Sequence, residues 1–222
     1  GGERMNSYKF SKDVNIGRIF CQGEMSIVQL PEFIRHVIFS KHHYVDLDIA
    51  KCHQTIAYNL LLNTDEKTKE EMKDVLDILE DFCMNESSSN RYRQEIATHF
   101  GVSIKSAKKY LNALTYGGKH CNNIPENAQT TDFPEIAVYY KKAMRKLNQW
   151  VCNQNPFLLN YIKQSKGDNH GKDITRTCCS FYFQYYEFKI LETILHSLIT
   201  NEFIETYHYY LYKNEKRLFP CN

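Results

Sequence analysis

Apolar and polar positions alternate along this chain with two different periods, and the change of period marks out its elements. Residues 44–50, "YVDLDIA", alternate strictly: Val45, Leu47 and Ile49 fall on one side, Asp46 and Asp48 on the other, the period of a half-buried strand. Immediately downstream "CHQTIAYNLLL" changes to helical spacing. Upstream, glycines at 17 and 23 bracket β-branched residues and predict a short hairpin within 16–30. Pro31 then opens a helical pattern over 31–40, with apolar residues at 33, 34, 37 and 38.

Further along, Met72, Val75, Leu76, Leu79 and Phe82 form one stripe through charged surroundings, predicting a surface helix over 64–86. "NESSSN", 85–90, reads as a loop, and 91–115 as two helices parted near Gly101. Residues 119–134 have Gly, Asn and Pro without periodicity and predict a long loop. Helices are expected over about 134–152 and 155–165, then a polar loop at "SKGDNHGKD", then a long helix over 174–200. "FIETYHYYLYKNEKRLF" is dense in aromatic and β-branched residues around a "KNEK" turn, predicting strand, turn, strand. Together these predict an α+β fold in which a small antiparallel sheet packs with several helices, helix-rich overall, an order that suits a palm-like domain. The chain is expected to be a single domain over 1–222, with its core at 16–212 and a helical insertion at about 64–152.

Composition changes this picture little. At 42% apolar residues the chain has material for a core. A net charge of +2 excludes a uniformly basic nucleic-acid binder, so any phosphate-binding surface must be local. Eight cysteines, at 21, 52, 83, 121, 152, 178, 179 and 221, include no Cys-x-x-Cys pair. Reduced buried thiols in an intracellular compartment, cytoplasm or nucleus, are the expectation, and Cys52 beside His53 is too little to define a metal–sulfur site. No apolar run approaches the roughly 18 residues of a membrane span, and no signal peptide is expected.

Chemistry concentrates in four places. Asp46 and Asp48 on one strand face lie about 7 Å apart, a spacing at which two carboxylates can share a hard cation; a solvent-facing strand edge would show the same alternation. Residues 95–119, "EIATHFGVSIKSAKKYLNALTYGGK", fit two patterns. One is a DNA-reading helix-turn-helix: Ile96, Ala97, Ala107 and Tyr110 inward, Gly101 at the turn, Ser103 as cap, and Lys105, Lys108 and Lys109 facing phosphates. The other rests on resemblance. "DIAKCHQTI" resembles the first catalytic motif of DNA polymerases, "KKYLNALTYGG" the second, and "SFYFQYYEFKILETI" the helix before the last motif. "GRIF…SIVQLPEFIR" looks like the lead-in of virus- and transposon-borne polymerases related to family A.

Four matches in the right order favour the polymerase resemblance, over roughly 16–212. It implies a template-directed nucleotidyltransferase using two-metal phosphoryl transfer. Asp48, with Asp46 as helper, would hold Mg2+ (or Mn2+). Lys108 would hold the triphosphate, Tyr116 and Gly117 would close on the base, and His53 would lie beneath the sugar. Arg18 and Arg35 would touch the template. The implied partners are nucleic acid (DNA favoured, RNA open), a nucleoside triphosphate and other replication proteins, with no membrane.

The last motif departs from the pattern, because His208 is followed by Tyr209 where an acid belongs. Glu202 or Glu205 could substitute, the acid could lie on another segment, or the chain could be an inactive polymerase-derived module that binds nucleic acid or a replication complex. A helix-turn-helix regulator or replication initiator remains the further alternative.

Overall fold

The computed structural model describes residues 7–10, 19–22, 49–119, 124–166 and 174–200. The chain divides into two compact units, Gly1–Ala50 with Phe188–Asn222, and Lys51–Glu187.

In the first unit, β1 (Ser7–Phe10) pairs antiparallel with β2 (Ile19–Gln22), Ser7 opposite Gln22 and Phe10 opposite Ile19. β2 falls within the 16–30 expected to hold a hairpin, and the described strand it pairs with lies upstream, in "SYKF", too short to show a period. Of the strand expected at 44–50, only Ile49 and Ala50 are described, and neither is strand. The helix at 31–40 and the strands after 203 lie outside the described residues.

The second unit is helical. Its elements are α1 (Cys52–Leu62), α2 (Glu66–Glu71), α3 (Lys73–Met84), α4 (Glu86–Phe100), α5 (Ile104–Thr115), α6 (Glu135–Gln154) and α7 (Pro156–Lys166), joined by the first half of α8 (Ile174–Thr200). The palm-like α+β expectation is overturned. Among the described residues the only sheet is the four-residue pair β1–β2, and apolar residues are buried between helices rather than on a sheet. The physical reason lies in the long 3.6-period stretches from 52 to 115 and from 135 to 187: each buries one stripe, and neighbouring helix stripes satisfy one another.

α3 packs against α1, α4 and α6, and α6 also packs against α4, α5 and α7. At their meeting point Phe82, Tyr92 and Tyr140 form a ring cluster with centroids 5.4–6.0 Å apart. The surface helix expected over 64–86 is two helices broken at Met72, whose side chain is buried together with Val75, Leu79 and Phe82. The loop expected at 85–90 is the first turn of α4 instead. Asn85 accepts from the Ser87 and Ser88 amides and so caps that helix.

The split near Gly101 is as the pattern predicted. Gly101 lies in the left-handed region (φ 64°), with the Val102 amide reaching Ala97 O and its own reaching Thr98 O, the hydrogen bonds of a Schellman motif. A Cβ there would also fall 2.3 Å from the Gln129 side chain. Ser103 then caps α5 by accepting from the Ser106 amide.

Candidate functional site

Lys51 sets the direction in which α1 leaves its turn. It is the one non-glycine residue with positive φ among those described (φ 52°, ψ 36°). That conformation costs an L-residue roughly 1–2 kcal/mol. It is held by the Lys51 ammonium donating to Cys83 O at 3.1 Å and lying 6.0 Å from the Phe82 ring centroid. The turn leaves Cys52 and His53 at the first positions of α1.

His53 joins three segments. Its Nδ1 hydrogen-bonds the Tyr116 hydroxyl, at the end of α5, and its Nε2 lies 3.2 Å from Glu187 Oε2, on α8. The imidazole also meets the Tyr116 ring edge-on at 5.6 Å and the tilted Phe183 ring at 5.7 Å. The His53 side chain is 11% exposed and that of Glu187 28%, so the cluster is enclosed but reachable.

Behind it lies a buried polar network. The Gln54 amide donates to Thr115 Oγ1 at 3.1 Å and to Tyr140 OH at 3.3 Å; these two hydroxyls are 2.9 Å apart. Asn148 donates to Thr115 O at 3.2 Å. Gln54 and Thr115 are the chain neighbours of His53 and Tyr116, so the network fixes the start of α1 against the end of α5. Gln54, Thr115 and Tyr140 are each paired with the other two, so releasing one strands the rest without water, whereas the buried Asn148 Oδ1 has no hydrogen-bond partner among the described residues.

Tyr116 is held by the way α5 ends. Gly117 is left-handed (φ 79°), its amide reaching Leu114 O while the Gly118 amide reaches Ala113 O. This is again a Schellman ending, which accounts for "Tyr-Gly-Gly" structurally. Positions 105, 108, 109, 112 and 116 share one helical face. Lys105, Lys108, Lys109 and Asn112 on it are exposed, whereas Ala107, Tyr110, Leu111, Leu114 and Thr115 are buried. The first turn of α5 carries no acid, so its amide dipoles add to the lysine charge.

Of the residues singled out in the sequence, His53 and Tyr116 are brought together, with Gly117 and the Lys105, Lys108 and Lys109 face adjoining Tyr116. Asp46, Asp48, Arg18, Arg35, His208 and Tyr209 lie outside the described residues. Gln184, three positions before Glu187 in "SFYFQYYEFKILETI", bonds locally to Ser180 Oγ at 3.3 Å. Ile190, Leu191 and Ile194, in the same motif, are exposed.

Sequence reasoning missed Cys52 as a partner of His53 and Glu187. The Cys52 sulfur, an imidazole nitrogen and a Glu187 oxygen lie within 4.8 Å of one another, the group of potential metal ligands found among the described residues. Sulfur and nitrogen donors do not suit Mg2+, which prefers carboxylate and water. The only sequence signal was the adjacent Cys-His, whose third member is 134 positions away from His53. Among the described residues no helix is long and apolar enough to cross a membrane. Comparison with protein-family models, curated proteins and solved structures finds no match to this chain.

Proposed function

We propose that this chain binds a nucleoside triphosphate beside nucleic acid, as the substrate-gripping part of a polymerase-like nucleotidyltransferase. One observation carries the reading. His53 and Tyr116, singled out from separate motifs 63 positions apart, touch, and Glu187 of the third motif reaches the same imidazole. The lysine face supports it further. From Lys108 to Tyr116 is about 12 Å along a helix at 1.5 Å per residue, comparable with an extended nucleotide from terminal phosphate to base. Triphosphate would lie toward the cationic, positive-dipole half of α5, and the base against the Tyr116 ring, held in place by His53.

Titrating the full chain with a fluorescent deoxynucleoside triphosphate tests this. Lys108→Ala should weaken binding about tenfold, the loss of about 1.4 kcal/mol. Tyr116→Ala should weaken it by a similar factor or more through lost stacking, worth about 1–3 kcal/mol. Absence of saturable binding by the unaltered chain would remove the proposal. Primer extension compared with Asp48→Ala then asks whether bound nucleotide is incorporated; binding without extension fits an inactive polymerase-derived module.

A second reading has its own support. α4 and α5 are joined by three residues, with a left-handed glycine and a serine cap, as a helix-turn-helix requires. It predicts salt-dependent duplex binding lost in Lys105→Ala or Lys109→Ala, and indifferent to His53 and Tyr116.

A further inference from the structure

We infer that Cys52, His53 and Glu187 form a site for one zinc-type divalent ion, with Tyr116 holding the imidazole from the side away from the metal. The inference is independent of the nucleotide reading. The three donors lie within 4.8 Å of one another, and His53 Nε2 to Glu187 Oε2 is 3.2 Å. Ligand bonds of 2.0–2.3 Å in a tetrahedron place donor atoms about 3.3–3.8 Å apart. The nitrogen–oxygen edge is thus nearly formed, and the sulfur, within 4.8 Å of both, has to close by at most about 1 Å to reach ligand spacing.

The donor set decides the ion. A thiolate, an imidazole and a carboxylate select a borderline-soft cation, and the two anionic donors neutralise its double charge. Such neutrality suits a site where His53 is 11% and Glu187 28% exposed. Binding displaces the Cys52 thiol proton to solvent and leaves His53 with its proton on Nδ1, donated to the Tyr116 oxygen. That is the outer contact that commonly orients a metal-bound histidine. Three protein ligands leave a fourth position for water or substrate. The ion would also join the first turn of α1 to α8, two segments no covalent bond connects nearby.

The full chain, stripped by chelator dialysis, is titrated with Zn2+ and separately with Co2+. One equivalent should bind, and the cobalt form should show a thiolate-to-cobalt charge-transfer band. Cys52→Ser should abolish that band and weaken zinc about 100-fold. Glu187→Gln should weaken zinc at least tenfold while keeping the band, and Tyr116→Phe about tenfold. Cys83→Ser, outside the cluster, should leave band and affinity intact. Failure to bind, displacement of zinc by millimolar Mg2+, or an unchanged band and affinity in Cys52→Ser would overturn the site. Should Cys52→Ser not fold, an unchanged zinc affinity in Glu187→Gln overturns it equally.

Discussion

Thr115 occupies a position where a β-branched side chain does two jobs. Its hydroxyl accepts from Gln54, meets Tyr140 OH and donates back to Leu111 O, while its neighbour Tyr116 carries the contact with His53. Thr115→Val keeps the shape and removes the oxygen, leaving the Gln54 amide short of one acceptor in a buried setting. Unfolding by urea should show a loss of about 1–3 kcal/mol, and its absence would mean that the network is not holding α1 to α5. Nothing in the local sequence announces this network. Gln54 lies between His53 and Thr55, Thr115 between Leu114 and Tyr116, and their pairing spans 61 positions. Cys52 is similar: adjacency to His53 was visible, but its relation to Glu187 was not, because no spacing rule links distant helices.

At the scale of elements, agreeing caps and stripes mark the helices and the loop expected at 119–134 is non-helical over its described residues, whereas small polar composition misleads at 85–90. "NESSSN" is polar and small, so it resembles a linker. Yet Asn85 accepts two amides at the start of α4, and Ser88 and Ser89 are buried behind them. Serines are weak helix formers, but at a first turn the Asn85 cap offsets that weakness. Asn85→Ala should cost about 1 kcal/mol, measured as a shift in urea midpoint at unchanged slope, whereas Asn85→Asp should retain most of it. A midpoint that does not move would mean that packing alone forms this turn. The break at Met72 has the opposite origin: the stripe is continuous, so periodicity predicted one helix. The helical elements α5 to α8 match their expected spans closely, and Ser103, Gly117, Pro134 and Pro156 stand at the boundaries of α5, α6 and α7.

For the whole molecule, the tyrosine-rich core makes alkaline stability a reporter of packing. Burial pushes Tyr140 from its usual 10.0 up to about 12, partly countered by its hydrogen bonds with Thr115 and Gln54. A phenol whose folded pKa is raised contributes its stability in full below pH 10 and loses it as pH rises toward 12. The unfolding free energy should therefore fall by about 1.4 kcal/mol per pH unit for this tyrosine across that window. Tyr140→Phe should flatten the fall by that share, read from urea titrations at successive pH values; the same slope in both proteins would place Tyr140 in contact with water.

Helical periodicity, caps and turn glycines, all properties of neighbours within a few residues, determined where α4 and α5 part, the bounds of α6 to α8, and the lysine face of α5. They are legible because backbone hydrogen bonding and side-chain direction depend on adjacent positions. The palm-like sheet was inferred from short alternating stretches, and such stretches do not reveal whether their residues find strand partners. Only the tertiary structure decided that the apolar stripes would satisfy one another as helices, and that Cys52, His53, Tyr116 and Glu187 would meet. Contacts across 63 and 134 positions arise from helix packing, which the order of residues constrains but does not display.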